Sequence, residues 1–350
     1  MAKEKWLINL NEMDEFQRQI LDLSIDDSYL IKGCAGSGKT ILALRRAHNI
    51  KVQSIAEKKP VSFTLLVYTK ALRSFIKSGV IELDLDLNQV VHHAVWDESA
   101  VDYIVVDEVQ DFDQEKIDTI KNAAIKSLML YGDSQQQIYD DRMTTQEIVE
   151  YLSIPQRELL LNYRLPKSIA SFASHVVNDI ELVKKCVKPG NEKPKIIQFA
   201  SWQQELDFIM KEIRTRNLTD CAILLPYNTK IKAMKVVPRN VYRNVETVKE
   251  YFDSKGFDHE YKMRDDDHDN WDLDFDSELP KVMTCHSAKG LQFEAVFIPF
   301  CDYPFHGPWF INYFQKPLYV GLTRSYRHLY ITHTNGITPF LNGIPRALYD

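Results

Sequence analysis

The chain has 350 residues, of which 45% are apolar and 26% charged, and its formal net charge is −6. This length and composition favour a soluble globular protein of two domains, and no apolar run approaches the roughly 20 residues that span a membrane. The acidic balance argues against tight, static binding of duplex DNA, and five cysteines without C-x-x-C spacing argue against a disulfide framework or a structural zinc site. Because the N-terminus also lacks the apolar core of a signal peptide, we expect a cytoplasmic protein.

Apolar runs alternate with amphipathic stretches along the chain, which is typical of βα units and predicts an α/β fold with largely parallel sheets. The clearest predicted strands are Phe63–Tyr68, Tyr103–Val106, Leu128–Tyr131, Glu158–Leu161, Ala222–Leu225, Val282–Thr284, Ala295–Phe300 and Leu329–Thr332. The clearest predicted helices are Asn11–Leu23, Ile41–Ala56, Lys70–Lys77, Gln114–Ala124, Pro166–Val177 and Gln203–Thr215.

A phosphate-binding loop is predicted at Gly33–Thr40, which fits the pattern G-x-x-x-x-G-K-[ST] at every fixed position. The apolar run Tyr29–Ile31 precedes it and a helical pattern follows, so the strand–loop–helix context is also present. Glycines let the backbone wrap around anionic oxygens, and successive N–H groups at a helix N-terminus face the phosphates. We expect Lys39 to contact the β- and γ-phosphates and the Thr40 hydroxyl to hold Mg²⁺.

The strand Tyr103–Val106 ends in two acids, Asp107 and Glu108. In a phosphate-loop protein we expect this strand to lie beside the loop strand. Asp107 would then complete the Mg²⁺ ligands, and Glu108 would polarise the attacking water.

The segment Asp107–Asp111 resembles the D-E-x-Q-D box of superfamily 1 helicases of the UvrD/Rep type. Further segments are similar to other boxes of that family, in the family's order. They are Asn11–Gln17, Leu66–Leu72, Gly132–Tyr139, Asn162–Arg164, Thr284–Phe293 and Tyr319–Arg324. Because the boxes cover nearly the whole chain, the sequence is identified as a member of this family. The implied fold is two RecA-like P-loop NTPase domains, which we place at residues 1–157 and 158–350.

The resemblance implies ATP and Mg²⁺ as cofactors. It implies that Gln17 reads adenine, that Gln136 senses the γ-phosphate, and that arginines from the second domain stabilise charge on that phosphate when the domains close. The implied catalytic residues are Lys39, Glu108, Gln136, Arg164 and Arg324. The implied nucleotide-binding residues are Gln17, Gly33, Gly36, Ser37, Gly38, Lys39, Thr40, Tyr163, Gly290 and Gln292, and the metal ligands are Thr40 and Asp107.

Single-stranded DNA is the partner that the resemblance implies. The predicted contacts are Thr69, Lys70, His92, His93, Thr284 and His286. For His92 and His93 a strand-edge pair is an equal alternative. The pair has no metal-ligating partner at a suitable spacing, so a zinc site is not expected. Trp96 could stack on a base, but a core position is the stronger interpretation.

Three departures from the family bear on activity. The boxes around Thr69 and Asp107 lie close together, as do those around Arg164 and Thr284, where larger relatives carry subdomains that grip duplex DNA. Tyr139 is followed by two aspartates where the family often has a base-stacking aromatic, which puts efficient unwinding in doubt. Gln292 stands where the family has a ribose-binding glutamate, and an amide can still bond a hydroxyl.

The sequence therefore predicts an ATP-dependent translocase or helicase on single-stranded DNA, moving 3′ to 5′ by resemblance. The alternative is an ATP-gated motor or regulatory subunit of a larger assembly, for example with a nuclease in DNA repair or phage defence, with weak unwinding or none. A phosphate-loop kinase is a third reading, and the boxes that contain Gln136, Arg164 and Arg324 argue against it.

Overall fold

A computed structural model describes residues 6–137, 142–190, 192–225, 243–262, 273–302 and 308–350, with the backbone alone described over 308–314. The described chain divides into two compact units, one ending at Tyr163 and the other beginning at Arg164. Within the described residues, no helix combines the length and the apolarity needed to cross a bilayer.

The first unit is a six-stranded parallel sheet with helices. Its elements in chain order are α1 (Glu15–Leu21), β1 (Tyr29–Gly33), α2 (Lys39–Glu57), β2 (Phe63–Val67), α3 (Lys70–Glu82), β3 (Val90–His92), β4 (Val101–Val106), α4 (Gln114–Ala123), β5 (Ala124–Gly132), α5 (Thr145–Leu152) and β6 (Gln156–Leu159). The strand order is β3-β2-β4-β5-β1-β6, and every pairing is parallel. The carboxyl ends of the strands therefore share one edge, where ligands of open α/β sheets bind.

One topological prediction is wrong. The strand that ends at Asp107 does not lie beside the loop strand, because β5 stands between β4 and β1. The order of parallel strands is set by long crossover connections, which local apolar runs do not reveal.

Local sequence explains how the elements of this unit begin and where they pack. All five residues of β2 are buried, as expected for a strand covered on both faces. Side-chain caps start the helices: Asp14 accepts a hydrogen bond from the Gln17 N–H, and Thr69 accepts one from the Leu72 N–H. Trp96 is 7% exposed and belongs to an apolar core cluster, which confirms the core interpretation.

The second unit repeats the architecture with a second six-stranded sheet. Its elements are α6 (Lys167–Val177), α7 (Glu181–Lys185), β7 (Lys195–Gln198), α8 (Trp202–Arg216), β8 (Cys221–Leu225), α9 (Val245–Ser254), β9 (Glu260–Tyr261), β10 (Lys281–Thr284), β11 (Phe293–Ile298), α10 (Pro308–Leu322), β12 (Ser325–His333) and α11 (Pro339–Asn342). The order is β7-β12-β11-β8-β10-β9, again with every pairing parallel. Two mostly parallel sheets with helices confirm the predicted α/β class.

Candidate nucleotide and nucleic-acid sites

The predicted phosphate loop joins β1 to α2 as the sequence indicates. Gly38 is the N-cap of α2 and has a φ of 94°, a left-handed conformation that favours glycine. A Cβ added there would also lie 2.7 Å from Nε2 of Gln17. Gly36 has a φ of 77°, and the Ser37 side chain is buried. The loop therefore turns its backbone toward the carboxyl edge of the first sheet at the start of a long helix, where anions are favoured.

Gln17 lies against this loop. Its Nε2 donates to the Ser37 carbonyl at 3.1 Å, and its Oε1 accepts from the Asp14 N–H at 3.2 Å. The helix that carries it is held to α2 by Arg46, whose guanidinium donates to the carbonyls of Ile20 and Leu23 at 3.0 and 2.7 Å. The structure thus brings Gln17 to the loop, and its role in reading adenine stays a prediction.

Lys39 and Thr40 start α2 with their functional groups in contact with the loop and with β4. The buried Lys39 ammonium donates to the carbonyls of Gly33 at 2.7 Å and Cys34 at 3.1 Å. The Thr40 hydroxyl donates to Oδ2 of Asp107 at 2.6 Å. The two predicted metal ligands are therefore neighbours, although β4, which leads to Asp107, does not lie beside β1, which leads to the phosphate loop.

These ligands fit a magnesium ion. A hydroxyl and a carboxylate at hydrogen-bonding distance supply the oxygen donors that Mg²⁺ prefers. Burial raises the pKa of Asp107 to about 7, with a further contribution from the negative charge of Glu108, against the opposing effects of Thr40 and Lys39. A divalent cation at this position would stabilise the ionised carboxylate and would help to orient the phosphates of a bound nucleotide.

The raised pKa of Asp107 predicts a stability that depends on pH. Because the folded protein keeps this proton to about pH 7 and an exposed aspartate loses it near pH 4, the folded state binds more protons between these values. The free energy of unfolding is therefore expected to fall as pH rises through this window, by at most about 1.4 kcal/mol per pH unit. Urea denaturation without Mg²⁺ at several pH values would measure the fall.

Asp107→Asn is the matched control, because the amide keeps the size of the side chain and cannot ionise. The part of the pH-dependent fall in unfolding free energy that comes from Asp107 should disappear in the variant. In the native protein, Mg²⁺ should reduce this fall. Identical pH profiles for the two proteins would contradict the assignment.

Glu108 begins a chain of hydrogen bonds that no local sequence pattern indicates. Glu108 Oε2 accepts from Gln110 Nε2 at 2.6 Å, and Gln110 Oε1 accepts from the Asp133 N–H at 3.0 Å. Asp133 Oδ2 in turn accepts from Gln136 Nε2 at 2.7 Å. All four side chains are nearly fully buried. We call this chain, Glu108–Gln110–Asp133–Gln136, the amide relay; it joins the predicted water-polarising group to the predicted phosphate sensor.

The close packing of the amide relay requires glycine at position 132. A Cβ added to Gly132 would lie 2.9 Å from both Gln110 Oε1 and Val109 Cγ1, and 3.0 Å from Thr145 Cγ2. Gly132→Ala is therefore expected to destabilise the protein by roughly 1–3 kcal/mol and to lower any ATPase rate, because Gln110 must shift. Denaturation midpoints and turnover, measured together, test this.

Gly343→Ala provides the matched control, since a Cβ added at Gly343 would meet no atom within 4 Å. The free energy of unfolding of the Gly343→Ala variant should remain within about 0.5 kcal/mol of the native value. Equal effects of the two substitutions would show that the relay is not tightly packed.

Tyr163 ends the first unit beside the loop. Its N–H donates to the Gly36 carbonyl at 2.9 Å, so the N-Y-R segment is tied to the phosphate loop by the main chain. This contact places Tyr163 near the predicted nucleotide residues.

The second unit brings together two of its own predicted residues. Arg164 Nε donates to Gln292 Oε1 at 3.2 Å. Gly290, two residues before Gln292, has a φ of 80°. The predicted charge-bearing arginine and the predicted ribose-binding amide are therefore in contact.

Arg324 lies inside the second unit and is only 1% exposed. Its guanidinium donates to the carbonyls of Val320 at 3.0 Å and Leu291 at 3.3 Å, and to the Thr323 hydroxyl at 3.2 Å. In this conformation the side chain holds the end of α10 against the segment before β11. A role at the γ-phosphate would require these bonds to be exchanged, and it stays a prediction.

The predicted nucleic-acid residues of this unit follow β10. Thr284 Oγ1 donates to Ser287 Oγ and accepts from the Ser287 N–H, both at 3.0 Å, which forms a tight turn. Burial, with the nearby charge of Lys289, lowers the pKa of His286 to about 4. The imidazole is therefore neutral at physiological pH and can contact a strand as a hydrogen-bonding group.

The predicted nucleic-acid residues of the first unit gather at the carboxyl ends of β2 and β3. Thr69 caps α3 and Lys70 is its first residue, at the carboxyl end of β2. His93 stacks on Tyr68 with ring centroids 4.7 Å apart and an interplanar angle of 14°. His92 is the last residue of β3 and is 5% exposed, and its Nδ1 accepts from the Ala94 N–H at 3.3 Å. The two histidines thus differ in exposure and contacts. Tyr68 also joins the cluster; it lies in the Leu66–Leu72 box but is not one of the predicted contact residues.

The departure at Tyr139 lies outside the described residues, which omit 138–141. Arg142, which follows them, donates from Nε to the Asp111 carbonyl at 3.0 Å.

Together, the phosphate loop, the acidic strand end and the parallel sheets define a P-loop protein of the RecA-like class. A family model described as the viral superfamily 1 RNA helicase core domain matches residues 29–220, and one described as the UvrD-like helicase C-terminal domain matches residues 281–332. Because the first match covers more than half of the chain, the chain belongs to the superfamily 1 helicase family. A comparison with curated proteins finds no match.

Solved structures show weak similarity. The C-terminal domain of a possible DNA helicase from Lactobacillus plantarum WCFS1 is 16% identical, with a TM-score of 0.38 and coverage of 53% of this chain and 96% of that one. Arterivirus nonstructural protein 10, a helicase solved with DNA, is 15% identical, with a TM-score of 0.43 over 94% of this chain and 65% of its own. The PRRSV helicase is 11% identical, with a TM-score of 0.44 over 91% and 55%. The chain thus spans less than two thirds of either viral helicase.

Proposed function

We propose that the chain is an ATP-dependent translocase on single-stranded DNA that hydrolyses ATP with Mg²⁺. One observation carries this proposal: the Thr40 hydroxyl and the buried Asp107 carboxylate are 2.6 Å apart at the start of α2, beside the phosphate loop. A phosphate loop alone favours anions, whereas a hydroxyl and a carboxylate beside the loop are the ligands that would hold the Mg²⁺ of a bound nucleotide.

The residues of the first unit have complementary tasks in the proposed reaction. The Lys39 ammonium would exchange its carbonyl partners for phosphate oxygens and stabilise their charge. The Glu108 carboxylate would orient the attacking water and take up its proton. The amide relay would hold Glu108 in place and connect it to Gln136, which by resemblance senses the γ-phosphate. By resemblance, Arg164 and Arg324 would supply further positive charge to that phosphate.

The surface around Tyr68, Thr69, Lys70 and His93 supports a role in binding a single strand. A lysine at the start of a helix can contact phosphates, and aromatic rings stack on bases without sequence preference. Movement in the 3′ to 5′ direction is proposed from the resemblance alone. The matched family models do not decide between DNA and RNA, since one of them describes RNA helicases.

A second candidate function is a motor with weak unwinding or none, acting within a larger assembly. The observation that favours it is the short connection from β2 to β4, which over residues 68–100 holds only α3, one 3₁₀ turn and β3. A subdomain that grips duplex DNA is therefore absent from this fully described connection. A protein partner such as a nuclease is a proposal from the sequence alone.

The test compares ATP hydrolysis with single-stranded DNA, single-stranded RNA and duplex DNA at one stated salt concentration. Single-stranded DNA should stimulate most, and Lys39→Ala protein prepared in parallel excludes a contaminating ATPase. The direction of translocation is measured by ATP-driven displacement of streptavidin from biotinylated strands. A protein that moves 3′ to 5′ should displace streptavidin faster from a 5′ end than from a 3′ end. Stimulation by RNA alone would overturn the choice of DNA, and faster displacement from the 3′ end would overturn the direction.

Strand displacement from a tailed duplex separates the two candidates. Rapid unwinding by the isolated protein would favour an autonomous helicase. Translocation without unwinding would favour the second candidate.

A further inference from the structure

The segment Glu108–Phe112 connects two groups of predicted functional residues in the first unit. Glu108 has a φ of 59°, which is strained for a residue other than glycine, and Val109–Asp111 forms a 3₁₀ turn directly after it. Every residue of the segment is at most 3% exposed. The turn is closed by main-chain bonds from the Asp111 N–H to the Glu108 carbonyl at 3.1 Å and from the Phe112 N–H to the Val109 carbonyl at 3.2 Å.

The two sides of this turn contact different groups. On one side, Gln110 bonds to Glu108 and to the main chain of Asp133, within the amide relay. On the other side, the Phe112 ring packs edge-on against Tyr68 at 5.2 Å and against His93 at 5.3 Å, with interplanar angles of 80° and 88°. Phe112 is therefore the partner of both members of the stacked Tyr68–His93 pair.

We propose that Phe112 is the positioning residue that couples ATP turnover to single-strand binding in the first unit. The inference rests on the proposed function, because it takes Gln136 as the γ-phosphate sensor that acts on Glu108 through the amide relay, and the Tyr68–His93 pair as part of the strand-binding surface. Because Phe112 is only 2% exposed, it would act through the rings of Tyr68 and His93.

The rigidity of the turn is the physical basis of the coupling. A change in the position of Glu108 cannot be absorbed within a buried segment whose main chain is fixed by two internal bonds and by the bond from Arg142 to the Asp111 carbonyl. The displacement must therefore pass to Phe112, and from its ring to Tyr68 and His93. By reciprocity, a strand that orders the Tyr68–His93 pair favours the position of Glu108 that supports hydrolysis.

The test is Phe112→Leu, which keeps an apolar side chain and removes the ring that contacts the stacked pair. Two quantities are measured: the ratio of ATPase rates with and without single-stranded DNA, and the change in DNA affinity on adding a non-hydrolysable ATP analogue. Both ratios are expected to fall about 5-fold or more, while the rate without DNA stays within about 2-fold of the native value.

Phe63→Leu is the matched control, because Phe63 is a buried aromatic residue at the opposite end of β2. It should leave both ratios unchanged. If Phe112→Leu does not fold, as judged by circular dichroism and a thermal transition, the longer and flexible Phe112→Met replaces it, and the same ratios decide.

The outcomes separate this inference from the proposed function. Native protein without stimulation by single-stranded DNA or RNA would refute the proposed function. Native stimulation with unchanged ratios in the Phe112 variant would overturn the coupling role alone. A parallel loss of basal and stimulated rates, with the ratio preserved, would also overturn it and would show that Phe112 only supports the fold.

Discussion

Replacing Glu108 by glutamine is expected to lower the turnover number for ATP about 10²–10⁴-fold while leaving ATP affinity within about 3-fold. The amide has the shape of the carboxylate, and its oxygen can still accept the hydrogen bond from Gln110 Nε2, which is 2.6 Å long in the native protein. What disappears is the negative charge that takes the proton from water. The substitution therefore removes a function that is needed only during hydrolysis.

Single-turnover hydrolysis and equilibrium binding of a fluorescent ATP analogue measure these two effects separately. Gln110→Ala is a second variant to measure, because it removes one hydrogen-bond partner of Glu108 and leaves the carboxylate. A loss of nucleotide affinity in Glu108→Gln as large as its loss of turnover would contradict the assigned role.

Lys39→Ala is expected to abolish measurable turnover mainly through loss of nucleotide binding. The Lys39 ammonium is the positive charge at the phosphate loop, and it donates to the carbonyls of Gly33 at 2.7 Å and Cys34 at 3.1 Å. Without it, the loop would offer the phosphates backbone N–H groups but no positively charged side chain. Binding of the same fluorescent analogue in the presence of Mg²⁺ gives the direct measurement.

Lys51→Ala is the matched control, since Lys51 lies on the same helix and pairs with the exposed Asp84. A surface ion pair of this kind contributes little to stability, so nucleotide binding should be unchanged. Native-like ATP affinity in Lys39→Ala would contradict the identification of the phosphate loop.

The phosphate loop could be predicted because its signal is local. Eight consecutive residues at Gly33–Thr40 specify the turn, the helix N-terminus and the cation, and the structure forms them between β1 and α2. Long apolar runs likewise predicted strands such as β2 and β5. The observed ends of these strands differ from the predicted ends by up to four residues. The short edge strands β3, β7 and β9 were not predicted, since two to four residues carry no clear periodicity.

The contacts that build the site depend on residues far apart in sequence, which no local pattern reveals. The phosphate-loop pattern and the acids that follow Tyr103–Val106 predict Thr40 and Asp107 as joint metal ligands, although β4 does not lie beside β1 as expected. The amide relay was missed because Gln110 and Asp133 meet only once β4 and β5 pair. The burial of Arg324 likewise follows from the packing of α10, and the segment Tyr319–Arg324 alone does not predict it.

The rate of ATP hydrolysis by the purified chain, with and without Mg²⁺ and single-stranded DNA, tests the central claim most directly. The geometry of Lys39, Thr40, Asp107 and Glu108 predicts hydrolysis that requires Mg²⁺ and rises when the strand is added. The absence of hydrolysis under every one of these conditions, in protein shown to be folded, would contradict the account.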